Sequence, residues 1–225
     1  MPVIDLNTSS VTDLNASLHQ GEAKDWIVKN PKGKHALAVG IDHDLDITIE
    51  GHAGYYCAGM NKKSSITVNG NVCVGVAENM MSGHVHVKGD ASQAAGATAH
   101  GGLLVIDGNA SARCGISMKG VDIVVKGSIG AMSGFMAQSG SIVVLGDAGH
   151  ALGDSIYEAQ IFVRGRVDSL GADCIEKDLA PEHITKLSEL LSKAGVEDTV
   201  KPEDFKRYGS ARKLYNFNVD NAAAY

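Results

Sequence analysis

The chain has 225 residues, a formal net charge of −6 and only 5% aromatic residues. Charges of both signs are spread along it without the clustered basic patch of a nucleic-acid footprint, which excludes that partner class. No apolar run reaches the roughly eighteen residues that a membrane span needs, so no membrane partner is expected, and the length suits one domain with appendages.

Taken in chain order, residues 1–45 read as a leader and cap. The start, Met1-Pro2-Val3-Ile4-Asp5-Leu6, lacks the basic flank and apolar block of a secretory signal, and a cytoplasmic location is expected. Ser10-Val11-Thr12-Asp13-Leu14 carries helix-start chemistry, with a hydroxyl residue as cap. Leu37 and Val39 alternate as a strand that would seal the first coil of the repeat region.

From 46 to 172 a glycine returns every nineteen residues, at Gly51, Gly70, Gly89, Gly108, Gly127, Gly146 and Gly165. Four residues earlier stand Ile47, Ile66, Val85, Leu104, Ile123, Ile142 and Ile161, and two earlier Ile49, Val68, Val87, Ile106, Val125, Val144 and Val163. β-Branched residues at alternating positions predict a strand per repeat with one face buried. A third apolar column, from Ala53 to Val167, follows the glycine by two, and a second small column runs from Ala58 through Gly96 to Ala172. Each repeat therefore turns at two or more tight corners. A fixed short period with parallel crossovers reads as an all-β, right-handed parallel β-helix of about seven coils, roughly 30 Å long at the strand spacing. A left-handed hexapeptide helix needs coils of about eighteen and does not fit.

Little in these coils promises chemistry. The glycines are followed by strand rather than helix, so they do not make a dinucleotide or phosphate loop. His84 and His86 share a face, but no third ligand recurs at a matching coil position, and a metal site is not expected. Asp90, Asp107 and Asp147 fall at corners, where Asp supports turns. Cys57, Cys73, Cys114 and Cys174 show no paired spacing; Cys57 and Cys114 lie three coils apart, about 14 Å, beyond disulfide reach. All four read as reduced.

One outward column is unusual. Three residues before the main glycine stand Thr48, Thr67 and His86, then Val105, Val124, Val143 and Phe162. Four stacked apolar side chains are seldom left bare. Either the chain's own tail covers them, with the Ile184–Leu191 helix as the candidate, or they dock another subunit. On the docking reading, charging Val124 and Val143 to Asp leaves the fold intact and releases a partner.

Residues 173–225 form a tail. Pro181 opens a helix with Ile184, Leu187, Leu190 and Leu191 on one face, ended by Gly195. The segment Phe205 to Phe217 concentrates aromatic and cationic residues. Tyr208, Arg212 and Tyr215 are its candidate interface anchors, with a tail folded back as cap being the alternative.

The repeats Gly127-Ser128-Ile129-Gly130-Ala131-Met132-Ser133-Gly134 and Gly146-Asp147-Ala148-Gly149-His150-Ala151-Leu152-Gly153 resemble the GXGXG β-helix that ends the glutamate synthase large subunit. The likeness covers about residues 36–175. With its Tyr208-to-Phe217 tail and Val219-Asp220-Asn221, the chain looks most like the free-standing small β-helix subunit of N-methylglutamate synthase. That resemblance implies a scaffold with no catalytic, cofactor-binding or metal-ligating residue of its own. The chemistry, methylamine plus glutamate to N-methylglutamate plus ammonia, would lie on partners: an amidotransferase-like subunit and a glutamate-synthase-like subunit carrying FMN and an iron–sulfur cluster. A related repeat in the scaffold subunit of formylmethanofuran dehydrogenase, and a stand-alone binding module, are the alternatives.

Overall fold

A computed structural model describes residues 1–212. Among these, eleven strands and two α-helices stand in the order β1 (Val3–Asp5), α1 (Val11–Gln20), β2 (Asp25–Lys29), β3 (Asp46–Glu50), β4 (Ser65–Val68), β5 (His84–Val87), β6 (Leu103–Ile106), β7 (Lys119–Val125), β8 (Ser139–Val144), β9 (Gln160–Val163), β10 (Cys174–Lys177), α2 (Pro181–Lys193) and β11 (Lys206–Ser210). The strands form one sheet in the order β1-β2-β3-β4-β5-β6-β7-β8-β9-β11-β10. From β3 to β9 each strand pairs in parallel with the next, and Ile47, Ile66, Val85, Leu104, Ile123, Ile142 and Ile161 stand side by side. The nineteen-residue period is thus the coil of a parallel β-solenoid.

A second line of parallel bridges joins Ala53, Val72, Ala91, Ala110, Ile129, Ala148 and Val167. All but the half-covered Val167 are buried, and with the Ile/Val columns they fill the prism. Burial of a continuous aliphatic stack, coil upon coil, is the stabilising term; no coil covers its own core alone.

The third side of each coil is built from left-handed backbone. Positive φ recurs in triples, as at Ala94 (60°), Gly96 (67°) and Thr98 (54°), or Met132 (56°), Gly134 (70°) and Met136 (52°). The middle residue faces inward: a Cβ on Gly96 would come within 2.6 Å of Ile123 Cδ1. Inter-coil backbone bonds alternate in direction along this edge: Ala94 N–H donates forward to Ala112 O, and Gly96 N–H back to Val76 O. Neighbouring coils thus hold conformations that are individually costly by about 1–2 kcal/mol for a residue with a side chain.

The ends differ from the sequence-based expectation. β2 pairs with β3 at a spacing of twenty-one residues (Trp26 beside Ile47), so the sheet begins ahead of the regular phase, and β1 extends it. Leu37 and Val39 do not form a strand. Ala36, Ala38 and Gly40 have φ of 55°, 54° and 72°, the same left-handed triple as in later coils, and a strand cannot include them. Leu37 is buried in this corner. Helix α1 starts as expected: Ser10 Oγ accepts from Asp13 N–H at 3.1 Å while Asp13 returns a bond to Ser10 N–H, a reciprocal cap. Its Leu14 and Leu18 are buried.

At the far end β11 lies antiparallel between β9 and β10, turning the chain back over the last coil. Helix α2 starts at Pro181, where His183 Nδ1 accepts from Ala180 N–H at 3.0 Å. It stops where Gly195 (φ 67°) lets Val196 N–H reach Leu191 O at 3.1 Å.

Candidate functional site

The apolar column is sealed from within. Val105, Val124, Val143 and Phe162 are no more than 1% exposed, and they form a second hydrophobic cluster with Leu187, Leu190, Leu191 and Ala194 near α2 and with Val200 and Phe205. Lys186 of α2 pins the helix to β7 through Asp122 at 2.7 Å. This corrects the reading of these four residues as a surface for another subunit: an amphipathic helix of the same chain satisfies them. It also overturns the expectation for the Val124 and Val143 charge variants, because a carboxylate there would enter a closed core.

Tyr208 likewise moves from interface to core. It is 5% exposed on β11 and packs into the main cluster, so the folded-back tail is the arrangement present. Burial, then nearby Glu176, raises its phenol pKa. Arg212 is exposed and forms an ion pair with Asp173. Tyr215 lies outside the described residues.

The repeat glycines sit where successive coils touch. Gly108 N–H donates to Gly89 O at 3.0 Å, and Gly127 N–H to Gly108 O at 2.9 Å. A Cβ on Gly108 would lie 2.9 Å from Gly89 C and 2.3 Å from Asp90 Oδ1, so close approach, not positive φ, requires the glycine. Gly51 differs: it has φ 132° and faces Pro31 rather than another glycine.

Beside this contact runs a polar ladder that sequence reasoning missed. His52 Nδ1, Asn71 Oδ1, Asp90 Oδ1, Asn109 Oδ1, Ser128 Oγ and Asp147 Oδ1 each accept the backbone N–H of the residue nineteen positions on, at 2.7–3.0 Å. Arg166 ends it, having a side chain with no acceptor. The signal was in the sequence, as seven polar residues each following a repeat glycine. Asp90 and Asp147 are corner supports, as expected, and their function here is structural.

His84 and His86 do lie together, with ring centroids 6.0 Å apart. His86 Nε2 is 2.9 Å from Asp107 Oδ1, and Lys126 Nζ reaches the same oxygen at 2.8 Å. Burial pushes the Asp107 carboxyl up, but its bonds to Lys126 and His86 win and hold it below the usual range. His84 Nε2 is buried without a partner, and burial followed by the charge of His86 lowers its pKa. Among the described residues no three His, Cys, Asp or Glu side chains gather as metal ligands. The cysteines are free. Burial raises Cys57 and Cys114 to about 12 and Cys174 to about 11, which keeps them as thiols. No helix among the described residues is long and apolar enough to cross a membrane.

Among the described residues, part of what remains exposed and apolar lies on the left-handed edge, and the rest at Met1, Val3, Met81, Leu170 and Ile175. Tyr56 (50%), Met60 (50%) and Met136 (40%) occupy the outer, positive-φ positions of their triples, beside Tyr55, with Met132 and Phe135 partly covered. Tyr55 stacks on His35 at 4.5 Å. Adaptable methionines and rigid tyrosines on strained backbone have the character of a contact surface.

No protein-family profile matches the chain. It is 68% identical over 229 residues to protein GlxC of Rhizobium meliloti (strain 1021), and the match spans the whole of both chains. At that identity and coverage the chain belongs to the GlxC family.

Proposed function

We propose that the chain is a non-catalytic structural subunit of a glutamate-synthase-type assembly, of the N-methylglutamate synthase kind, that braces an amidotransferase-like subunit against an FMN-bearing synthase subunit. The observation that carries this reading is a filled and cross-bonded prism with two separate exposed apolar groups on one side, Tyr56 with Met60 and, four coils on, Met136. A body with hydrogen bonds from every coil to the next holds whatever docks on it at a fixed separation. Fixed separation lets a reactive amine pass between two sites without escaping to water. The glycine spacing shared with the glutamate synthase β-helix supports the assembly type.

FMN and the iron–sulfur cluster belong to a partner in this reading, as the resemblance to the glutamate synthase β-helix implies. The test is mild affinity purification from the native host, with mass spectrometry and a visible spectrum of the eluate. Co-elution of an amidotransferase-like chain and a flavoprotein, with a flavin spectrum, is the expected result. A colourless protein eluting alone at low salt contradicts the reading.

A further inference from the structure

The two ends of the prism are closed differently. At the first coil α1 packs its Leu14 and Leu18 into the main core. At the last coil, among the described residues, β11 and then β10 continue the first side alone. On the second side Ala53 to Ala148 each pair with the coil that follows and are at most 4% exposed, whereas Val167 has no following coil and is only partly buried. Leu170 is 38% exposed, although Leu152, its bridge partner one coil earlier, is fully buried.

The backbone ladder stops at the same place. Ala110 N–H donates to Ser128 O, Ile129 N–H to Asp147 O and Ala148 N–H to Arg166 O, at 2.8–2.9 Å. The next rung would start from Val167 N–H, and no further coil among the described residues receives it. Val167, Leu170 and Tyr208 line an open pocket of about 480 Å³ there, with Arg166, Glu176 and Lys206 around them. An end of this kind accepts an extended segment with one apolar face and a backbone edge to offer.

The chain carries such a segment beyond Arg212. Residues 213–225 lie outside the described residues, and Tyr215-Asn216-Phe217-Asn218-Val219-Asp220 alternates apolar and polar side chains, the sequence pattern of a strand with one apolar face. The segment departs from beside the pocket. Ala211 N–H donates to Asp173 O at 2.7 Å and Arg212 pairs with Asp173, three residues after Leu170. Three residues span at most about 11 Å, and the seven from 213 to 219 reach up to about 23 Å, enough to cross the pocket. We propose that residues 215–219 close this end of their own chain, with Tyr215, Phe217 and Val219 on Val167 and Leu170 and the backbone continuing the ladder at Val167. The tether favours this over a second copy, because it holds the segment at an effective concentration far above that of a dilute protein. The proposal holds whether or not the chain works in the assembly described above.

Photo-crosslinking of the full chain with p-benzoylphenylalanine in place of Phe217 tests it, the products being mapped by mass spectrometry. Crosslinks within one chain to the Gly165–Leu170 stretch or to Tyr208 are expected. Crosslinks between two chains, crosslinks only to other parts of the prism, or none at all would overturn the proposal. Hydroxyl-radical labelling of Leu170 gives a second readout that needs no crosslinker. A segment seated more than half of the time leaves Leu170 open less than half of the time, so Tyr215→Ser with Phe217→Ser should raise its labelling at least about twofold. Thermal melts report that the double variant is folded, and unchanged labelling of Leu170 in that folded protein would contradict the closure.

Discussion

The outer face of the long sheet has two halves. On β3 to β5 its middle column is Thr48, Thr67 and His86, and no helix among the described residues lies over it; on β6 to β9 it is Val105, Val124, Val143 and Phe162, closed under α2. Along the middle column both halves pair at the same nineteen-residue spacing, and the one departure is a register shift between Lys119 and Asp122 at the start of β7. The side chains alone decide which half is covered, because only the apolar half gains from removing water. Lys186 on Asp122 sets the helix position but does not attract it, since the pair remains partly in solvent.

The largest effect should separate these halves directly. Val124→Asp places a carboxylate among aliphatic side chains and should cost about 4 kcal/mol or more, whereas Thr67→Asp should stay within about 0.5 kcal/mol, by denaturant unfolding. From the other side of the same contact, Leu190→Ala should cost about 2–5 kcal/mol, since its side chain is 1% exposed. Equal effects of Val124→Asp and Thr67→Asp would break the comparison.

Two further changes probe what both halves share. Gly108→Ala forces a Cβ against the neighbouring coil and should cost about 1–3 kcal/mol, while Gly195→Ala, with open space around it, should cost about 1 kcal/mol from its φ of 67° alone. Asn109→Ala removes one rung of the polar ladder and should cost about 1 kcal/mol. Tm shifts of purified variants check both.

The smallest effect lies at the boundary of the halves. His84 has a lowered pKa in the fold, so the unfolded chain binds its proton first as pH falls. Its contribution is complete above the unfolded value near 6.5 and is lost as pH falls toward the folded value. His84→Gln should therefore flatten the fall in stability between about pH 7 and pH 5, measured by urea midpoints.

The coils were legible because one glycine and three apolar columns repeat without insertion, and stacking turns a sequence period into a spatial one. The leader was not. Its coil runs twenty-one residues from Trp26 to Ile47, and Ala36 and Ala38 adopt left-handed backbone that alanine rarely takes. Val105 to Phe162 were legible as a column needing cover, and the Ile184–Leu191 helix as one candidate for it; the choice between that helix and another subunit was not, because complementarity between α2 and four strands is a long-range fact. Tyr208 failed as an interface residue for the same reason. The apolar edge at Tyr56, Met60 and Met136 went unread because alternation does not describe a side built from left-handed residues.

Closure of the apolar ladder by the chain itself is measured most directly by hydrogen exchange of the isolated protein. Amides of α2 should exchange together with those of β7 and β8, slowly and as one cooperative unit. Fast exchange of α2 apart from β7 would mean that the helix is only loosely seated, and would return Val124 and Val143 to the role of a surface awaiting another subunit.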